Sequence, residues 1–367
     1  MKTVAYIAGN ILRLSICVTV GLSAVDAGAK SRATWGDFNE LLYALVTMSV
    51  NHPDPKSPIE EIIKEKSDLV SLRFLKAHRV THPDFGMPVE VIYLRSGDKE
   101  RLTADTHALV SLIRADLPPY VGAVLIVDRK DIGFYGGETT RPKWSLVYWR
   151  HPDGSFEGST TKPRKYIRQR IKNAPSEYIE AYWTLIEGLR LVADGRSERA
   201  TKKVWRVWET LKHARQDTSG LAFQALIVLA RETSERHRAK EQGRYLQLLA
   251  RELKKRGADE TLGKIFRFVP ALYPEASYND PVAGEVKLRV TANRYGQVTK
   301  VEVLVESPQG RGFGESARQA AKDWVLIPQL SDSGEVLERF TLEEELVFKA
   351  PSPDQIRMLE LMRKFMR

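Results

Sequence analysis

His78 and His82 stand four residues apart with Asp84 close behind, a spacing that on a helix would offer two imidazoles to a divalent metal. Pro83 and the β-branched Val80-Thr81 pair oppose a helix there, and Arg79 follows His78 where a metalloprotease helix carries glutamate. No metal is therefore expected. His-Pro-Asp recurs at His52, His82 and His151, and Pro-Asp is ordinary turn chemistry. Gly133-Phe134-Tyr135-Gly136-Gly137 is a flexible loop that lacks the Lys-Ser/Thr of a phosphate cradle. No Gly-x-Ser-x-Gly, Cys/His pair or paired-carboxylate motif is legible. The chain reads as a protein without catalysis or cofactor. Only a fold could gather carboxylates into a site, so a hydrolase in residues 33–160 stands as an alternative.

The elements that must position any site follow from length and composition. At 367 residues the chain has room for two or three domains, and 43% apolar with 28% charged residues is a globular balance. A single cysteine, Cys17, excludes a disulfide framework and any Cys-based zinc site. Residues 1–29 have the marks of a signal peptide. Lys2 and Arg13 are basic, Leu14–Val25 is an uncharged apolar run, and small residues lead to cleavage after Ala27 or Ala29. The expected location is the periplasm. The alternative is an inner-membrane anchor over residues 4–25, with Arg13 buried near its middle at a cost of roughly 2.5–3.5 kcal/mol.

Residues 33–160 read as an α+β domain of no recognised family. Asp37–Val50 and Pro58–Val70 have helical spacing; Val89–Leu94, Gly122–Val127 and Trp144–Trp149 are short β-rich runs. Thr160–Ala174 is a basic, Pro-containing connector, and residues 161–269 form a basic helical-hairpin region. Helices are expected over Glu177–Val192, Ser197–His213, Leu221–Glu235 and Ala239–Arg256, with Asp194-Gly195, Ser219-Gly220 and Gly257 at the breaks. The first hairpin, 177–213, resembles a tetratricopeptide unit in Gly188, Gly195 and Ala200, although Trp183 lies one place off the pattern. Tyr182, Trp183, Trp205 and Trp208 are expected to pack rather than to cage a ligand.

Beyond residue 271 the period changes to two. Glu285–Ala292 and Val298–Val305 alternate, with Val286, Leu288 and Val290 on one face of the first strand. Val301, Val303 and Val305 are placed on one face of the second, and Asn293-Arg294-Tyr295-Gly296 turns between the strands. Phe313, Ser316-Ala317, Ala320 and Trp324 fall at offsets 0, 3–4, 7 and 11 of a helix that Pro328 stops. Leu342–Phe348 supplies a third strand. The expected core of this β-β-α-β module is Val286, Leu288, Val290, Val301, Val303, Ala317, Ala320 and Trp324. The whole chain is thus α+β and multidomain, ending in a helical tail at 350–367.

The ordered set Tyr273-Pro274, Gly284-x-Val286, Gly296-x-Val298, Val301-x-Val303, Glu306-Ser307, Phe313, Ala317, Ala320, Trp324-x-Leu326-x-Pro328 and Gly334 resembles the C-terminal domain of TonB-type energy transducers over residues 271–349. That resemblance implies a binding module whose last strand offers its edge to an extended peptide, typically the N-terminal box of an outer-membrane receptor. On that edge Thr341, Glu343, Glu345 and Val347 would face outward, and Leu342, Leu346 and Phe348 inward. Glu343-Glu344-Glu345 departs from the apolar habit of relatives and suits either a blunted edge or a basic peptide. A transducer also needs a membrane helix, commonly with a functional His, and a long Pro-rich spacer. No His precedes His52 and no such spacer is present.

The net charge of +10 is unevenly placed. Residues 162–256 hold 23 Lys/Arg against 11 Asp/Glu, a local +12, while 271–349 hold 9 against 13, a local −4. Behind a signal peptide, a basic helical stretch points to anionic headgroups, lipopolysaccharide or a partner's acidic face rather than to nucleic acid. The functional expectation is a cell-envelope interaction protein that binds a protein partner by β-strand addition. A membrane-anchored TonB-type energy transducer for outer-membrane transport is the first alternative. An envelope hydrolase with its site in 33–160 is the second.

Overall fold

The computed structural model describes residues 59–357 apart from 71, 83–84, 86, 96–101, 118–120, 129–145, 214–219, 235–237 and 354. The leader with Cys17, the helix expected over Asp37–Val50, His52, the Gly133–Gly137 loop and the tail beyond residue 357 lie outside the described residues. The chain is α+β and forms two compact units that divide between Val228 and Leu229. Among the described residues, no helix is long and apolar enough to cross a membrane.

The N-terminal unit is built on a five-stranded sheet in sequential order. Helix α1 (Glu60–Leu69) leads into β1 (Arg73–His82) and β2 (Met87–Arg95), which pair antiparallel. Helix α2 (Leu102–Ile113) crosses over to β3 (Ala123–Asp128), which lies parallel to β2. Strands β4 (Leu146–Arg150) and β5 (Phe156–Ser159) follow, each antiparallel to its predecessor. Both faces of the sheet are covered, so the central strands are apolar on both sides, as the unbroken run Val124-Leu125-Ile126-Val127 requires. Ile92, Leu94, Val124 and Ile126 pack with Ile63 of α1 and Leu109, Val110 and Ile113 of α2.

The opposite face, with Val89, Val91, Leu125, Val147 and Trp149, packs on helices α3 (Pro163–Lys172) and α4 (Glu177–Ala193). Trp149 stacks on Tyr166 of α3 at 5.1 Å between ring centroids and meets Trp183 of α4 edge-on at 6.0 Å. The stretch 160–174, expected as a connector, is therefore largely a helix that closes the sheet. Pro163 at its first position fits a helix start, and Tyr166, Ile167 and Ile171 lie on its inner face. Ser176 caps α4 by accepting from Ile179 N–H at 3.3 Å.

Helix α5 (Ser197–Leu211) packs antiparallel on α4 through the turn at Gly195, whose φ is +71°. Gly188 lies so close to α5 that an added Cβ would sit 2.5 Å from Val204 Cγ2. Helix α6 (Leu221–Ser234) spans the division between the units, and α7 (Ala239–Lys255) belongs to the C-terminal one. Helices α3, α4 and α5 thus lie in the N-terminal unit and α7 in the C-terminal one. The aromatic residues expected to pack do so at Trp183 and Trp208, which are buried, while Tyr182 O–H donates to the Arg150 carbonyl at 2.6 Å.

His78 and His82 fall on β1, a strand, which removes the helical spacing considered for a metal. His151-Pro152-Asp153 forms the β4–β5 turn, where Asp153 Oδ1 accepts from Ser155 N–H and Oγ.

Candidate functional site

The C-terminal unit centres on a three-stranded antiparallel sheet in the order β10-β7-β8, formed by β7 (Gly284–Asn293), β8 (Val298–Ser307) and β10 (Arg339–Phe348). Strict alternation makes β7 the spine. Val286, Leu288, Val290 and Ala292 are wholly buried, while Glu285, Lys287 and Arg289 stand on the open face. Helix α8 (Phe313–Ala321) covers the buried face with Phe313, Ala317 and Ala320. An added Cβ at Gly284 would lie 2.6 Å from the Phe313 ring, so only glycine lets helix and strand approach this closely.

The helix ends at Ala321, seven residues before Pro328, which corrects the expected helical stretch to Trp324. Val325–Leu326 instead form the short strand β9, paired antiparallel with β6 (Ile265–Arg267). Trp324 still enters the core, and its indole N–H donates to the Val269 carbonyl at 2.8 Å. The β7–β8 turn is held by Asn293, whose Oδ1 accepts from Tyr295 and Gln297 N–H, and by Gly296 at φ +77°. Helix α7 rests on this turn. Gly243 leaves room for the Tyr295 ring, and Gln247 donates to the Arg294 carbonyl at 3.0 Å.

Strand β8 differs from its expected alternation. Two register shifts interrupt its pairing with β7, one of them between the Lys287–Val305 and Leu288–Val303 pairs, so Leu304 is an inserted residue. Val301 stays partly buried in the core, but Val305 is carried to the open face and Val303, expected in the core, is 38% exposed. A bulge reverses which face the following residue takes, and the helix residue beside Val303 is Gly314, where an added Cβ would lie 3.1 Å from Val303 Cγ1.

Strand β10 is the opposite case. Its ten residues pair with β7 in one unbroken register, from Arg339 opposite Asn293 to Phe348 opposite Gly284. Phe340, Leu346 and Phe348 are buried, with Leu342 and Glu344 half-buried on the same side. Thr341, Glu343, Glu345 and Val347 are exposed on the open face, and Val347 keeps 48% of its surface. β10 is a terminal strand of its sheet. Among the described residues, no backbone hydrogen bond outside the β7 ladder reaches it. Alternate residues of such a strand direct their N–H and C=O groups away from the sheet, where an added strand would meet them.

The three glutamates of this edge have separate environments. Glu343 accepts from Lys287 Nζ at 2.8 Å and from Arg289 at 2.7 Å, and these hydrogen bonds hold its carboxyl below the usual range. Glu344 faces Leu288, and burial raises its pKa against the opposing pull of Lys264. Glu345 has no ion pair among the described residues. Glu344 is the site residue that strand alternation alone does not single out, since an acid at an inward position breaks the apolar pattern.

In the N-terminal unit, Glu90 is wholly buried on β2 and accepts from Arg79 Nε at 3.2 Å across the β1–β2 pair. His151 Nε2 lies 3.1 Å from Glu157. Burial, together with nearby Arg170, lowers the His151 pKa. Among the described residues, no three His, Cys, Asp or Glu side chains gather as a metal site would need. No protein-family model and no curated protein matches this chain.

Proposed function

We propose that this chain is a cell-envelope interaction protein whose C-terminal module, TonB-like in its ordered residues, binds an extended partner segment by adding it as a strand to β10. The observation that carries the reading is the unbroken ten-residue register of β10 at the rim of its sheet, with its outer edge free of backbone partners among the described residues. Main-chain hydrogen bonds would supply affinity, and alternate side chains would supply selectivity. The bulged β8 is the poorer template, because a register shift breaks the even ladder that an incoming strand needs.

The side chains beside the edge describe the partner. Among the described residues Glu345 is a carboxylate without an ion pair, and Val347 is an exposed apolar surface two residues on. A segment with a basic residue and an apolar residue at alternate positions fits both. The protein acts here by binding, and it needs no cofactor to do so. The envelope placement rests on the leader-like residues 1–29, and N-terminal sequencing of the mature protein tests it: an unprocessed Met1 counts against export.

Affinity capture from envelope extract with the full chain, wild type against Val347→Pro, tests the edge. Proline removes a main-chain donor and should abolish capture. Circular dichroism of the variant separates a lost edge from a lost fold. Unchanged capture by a folded variant would sink the assignment.

A further inference from the structure

Helices α3, α4 and α5 line an open cleft of about 260 Å³ in which seven of the ten lining residues are Arg or Lys. Arg164, Arg168 and Lys172 follow one another at four-residue steps and form a single stripe down α3. Arg196, Arg199 and Lys203, at steps of three and four, form a second stripe from the start of α5. The close fit of Gly188 against Val204 brings α5 onto α4 and so sets the second stripe beside the first. Between the stripes the floor is made by Ile171, Leu191 and the Glu187–Arg190 pair.

The charge in this cleft is not compensated from within. Glu187 is the one acid of the lining, and both its oxygens accept from buried Arg190, at 3.2 and 3.3 Å. Arg190 also donates to Asp194 at 2.7 Å. Burial works against the Arg190 charge, but these two carboxylates outweigh it and raise its pKa. Its charge is satisfied inside the protein. The six stripe residues have no ion pair among the described residues, although Lys202 next to Lys203 is paired with Glu198. The first turn of α5 has no side-chain cap at Arg196, so its free amides add to the same positive field.

Six like charges around so small a concavity repel one another unless an anion sits among them, and low-dielectric walls concentrate their field on it. Four of the six are arginines, whose planar forks match phosphate oxygens two at a time. The volume falls just under the ~300–1,000 Å³ of drug-sized ligand sites, which suits a compact, charge-dense group. We propose that this cleft binds a small anion carrying two adjacent phosphoryl groups, one to each stripe. A soluble bisphosphate and a phosphorylated lipid headgroup present the same chemistry. The site is independent of strand addition at β10.

Calorimetric titration of the full-length protein with inorganic pyrophosphate tests the site. Alongside it, the protein is sedimented with phosphatidylcholine vesicles with and without phosphatidylinositol 4,5-bisphosphate, whose headgroup carries two adjacent phosphates. Saturable pyrophosphate binding is expected. It should weaken by roughly tenfold or more in Arg168→Glu/Arg199→Glu and change little in Arg244→Glu/Arg251→Glu, which alters the same charge on exposed positions of α7. Pyrophosphate binding without vesicle uptake identifies a soluble ligand. Uptake that requires the bisphosphate lipid and is lost in the cleft variant identifies a headgroup. Absence of both, or equal losses in the cleft and α7 variants, overturns the proposal. If the reversal variant melts early, Arg168→Ala/Arg199→Ala carries the same comparison.

Discussion

Glu343 and Glu344 are chain neighbours on opposite faces of β10: Glu343 accepts from Lys287 and Arg289 over the open face, while Glu344 lies half-buried opposite Leu288. Alternation of the strand alone creates this division. It gives two adjacent carboxyls pKa shifts of opposite sign, and hence opposite effects of pH on stability.

For Glu343 the folded-state pKa lies below the usual 4.5 because Lys287 and Arg289 hydrogen-bond the carboxylate. Its contribution to stability is fully present above 4.5 and is lost as pH falls through the lower folded value. Glu343→Gln should therefore melt slightly earlier than the wild type at pH 7. Melts repeated at descending pH should show the gap closing below 4.5. A gap independent of pH would mean that charge pairing is not its source. The group is fully exposed, so added salt should also narrow the gap.

Glu344 has the opposite sign. Burial raises its pKa above 4.5, so the unfolded chain releases its proton first and stability declines as pH rises from 4.5 to the folded value. Glu344→Leu should raise the melting temperature at pH 7 and lose most of that advantage in acid. Chemical denaturation at two pH values is sufficient to check it. A variant less stable than wild type at pH 7 would show that Lys264 stabilises the carboxylate more than burial opposes it.

Gly296→Ala tests the hairpin turn. The residue sits at φ +77°, and an added Cβ would fall 1.9 Å from the Leu326 carbonyl oxygen, a backbone atom that cannot swing aside. Backbone strain and overpacking together should cost about 2–4 kcal/mol in urea unfolding. Gly334→Ala has the same positive φ with open space around the new methyl. It should cost about 1 kcal/mol, so the difference between the two isolates the contact with Leu326.

Trp324 fills the core where α8 gives way to β9. Trp324→Ala should cost about 3–5 kcal/mol through the cavity it leaves. Trp324→Phe keeps most of the apolar body but leaves the Val269 carbonyl without its donor, at about 1–3 kcal/mol. Equal losses in the two variants would mean that the hydrogen bond, rather than the packed volume, is what the site needs.

Much of this architecture was legible where one period runs without interruption. The alternation Val286, Leu288, Val290 specified β7 and its buried face, because only one register puts all three under α8. The limits of α4 through α7 fall within two residues of the expected ones, since Gly195, Gly220 and Gly257 mark their ends. Three features were hidden. In β8, Val303, Leu304 and Val305 are all apolar, so a one-residue bulge leaves no trace in the pattern. Helix α3 was masked by its basic residues, although Tyr166, Ile167 and Ile171 already trace an inner face. The cationic cleft needed two helices side by side. A stripe at four-residue steps is visible in sequence, but its neighbour across the cleft is not.

The regular rim of β10 carries one more consequence, which concerns identical copies rather than partners. A strand open to a peptide is equally open to a second β10, and a two-fold antiparallel pair centred on Glu344 would overlap the two strands over residues 340–348. Glu344 would then stand opposite its own counterpart and each Glu343 opposite the other copy's Glu345, gathering the glutamates of both chains around the axis. Like charges directly opposite each other destabilise a strand pair. The acidic run that sets this edge apart would thus oppose pairing with its twin.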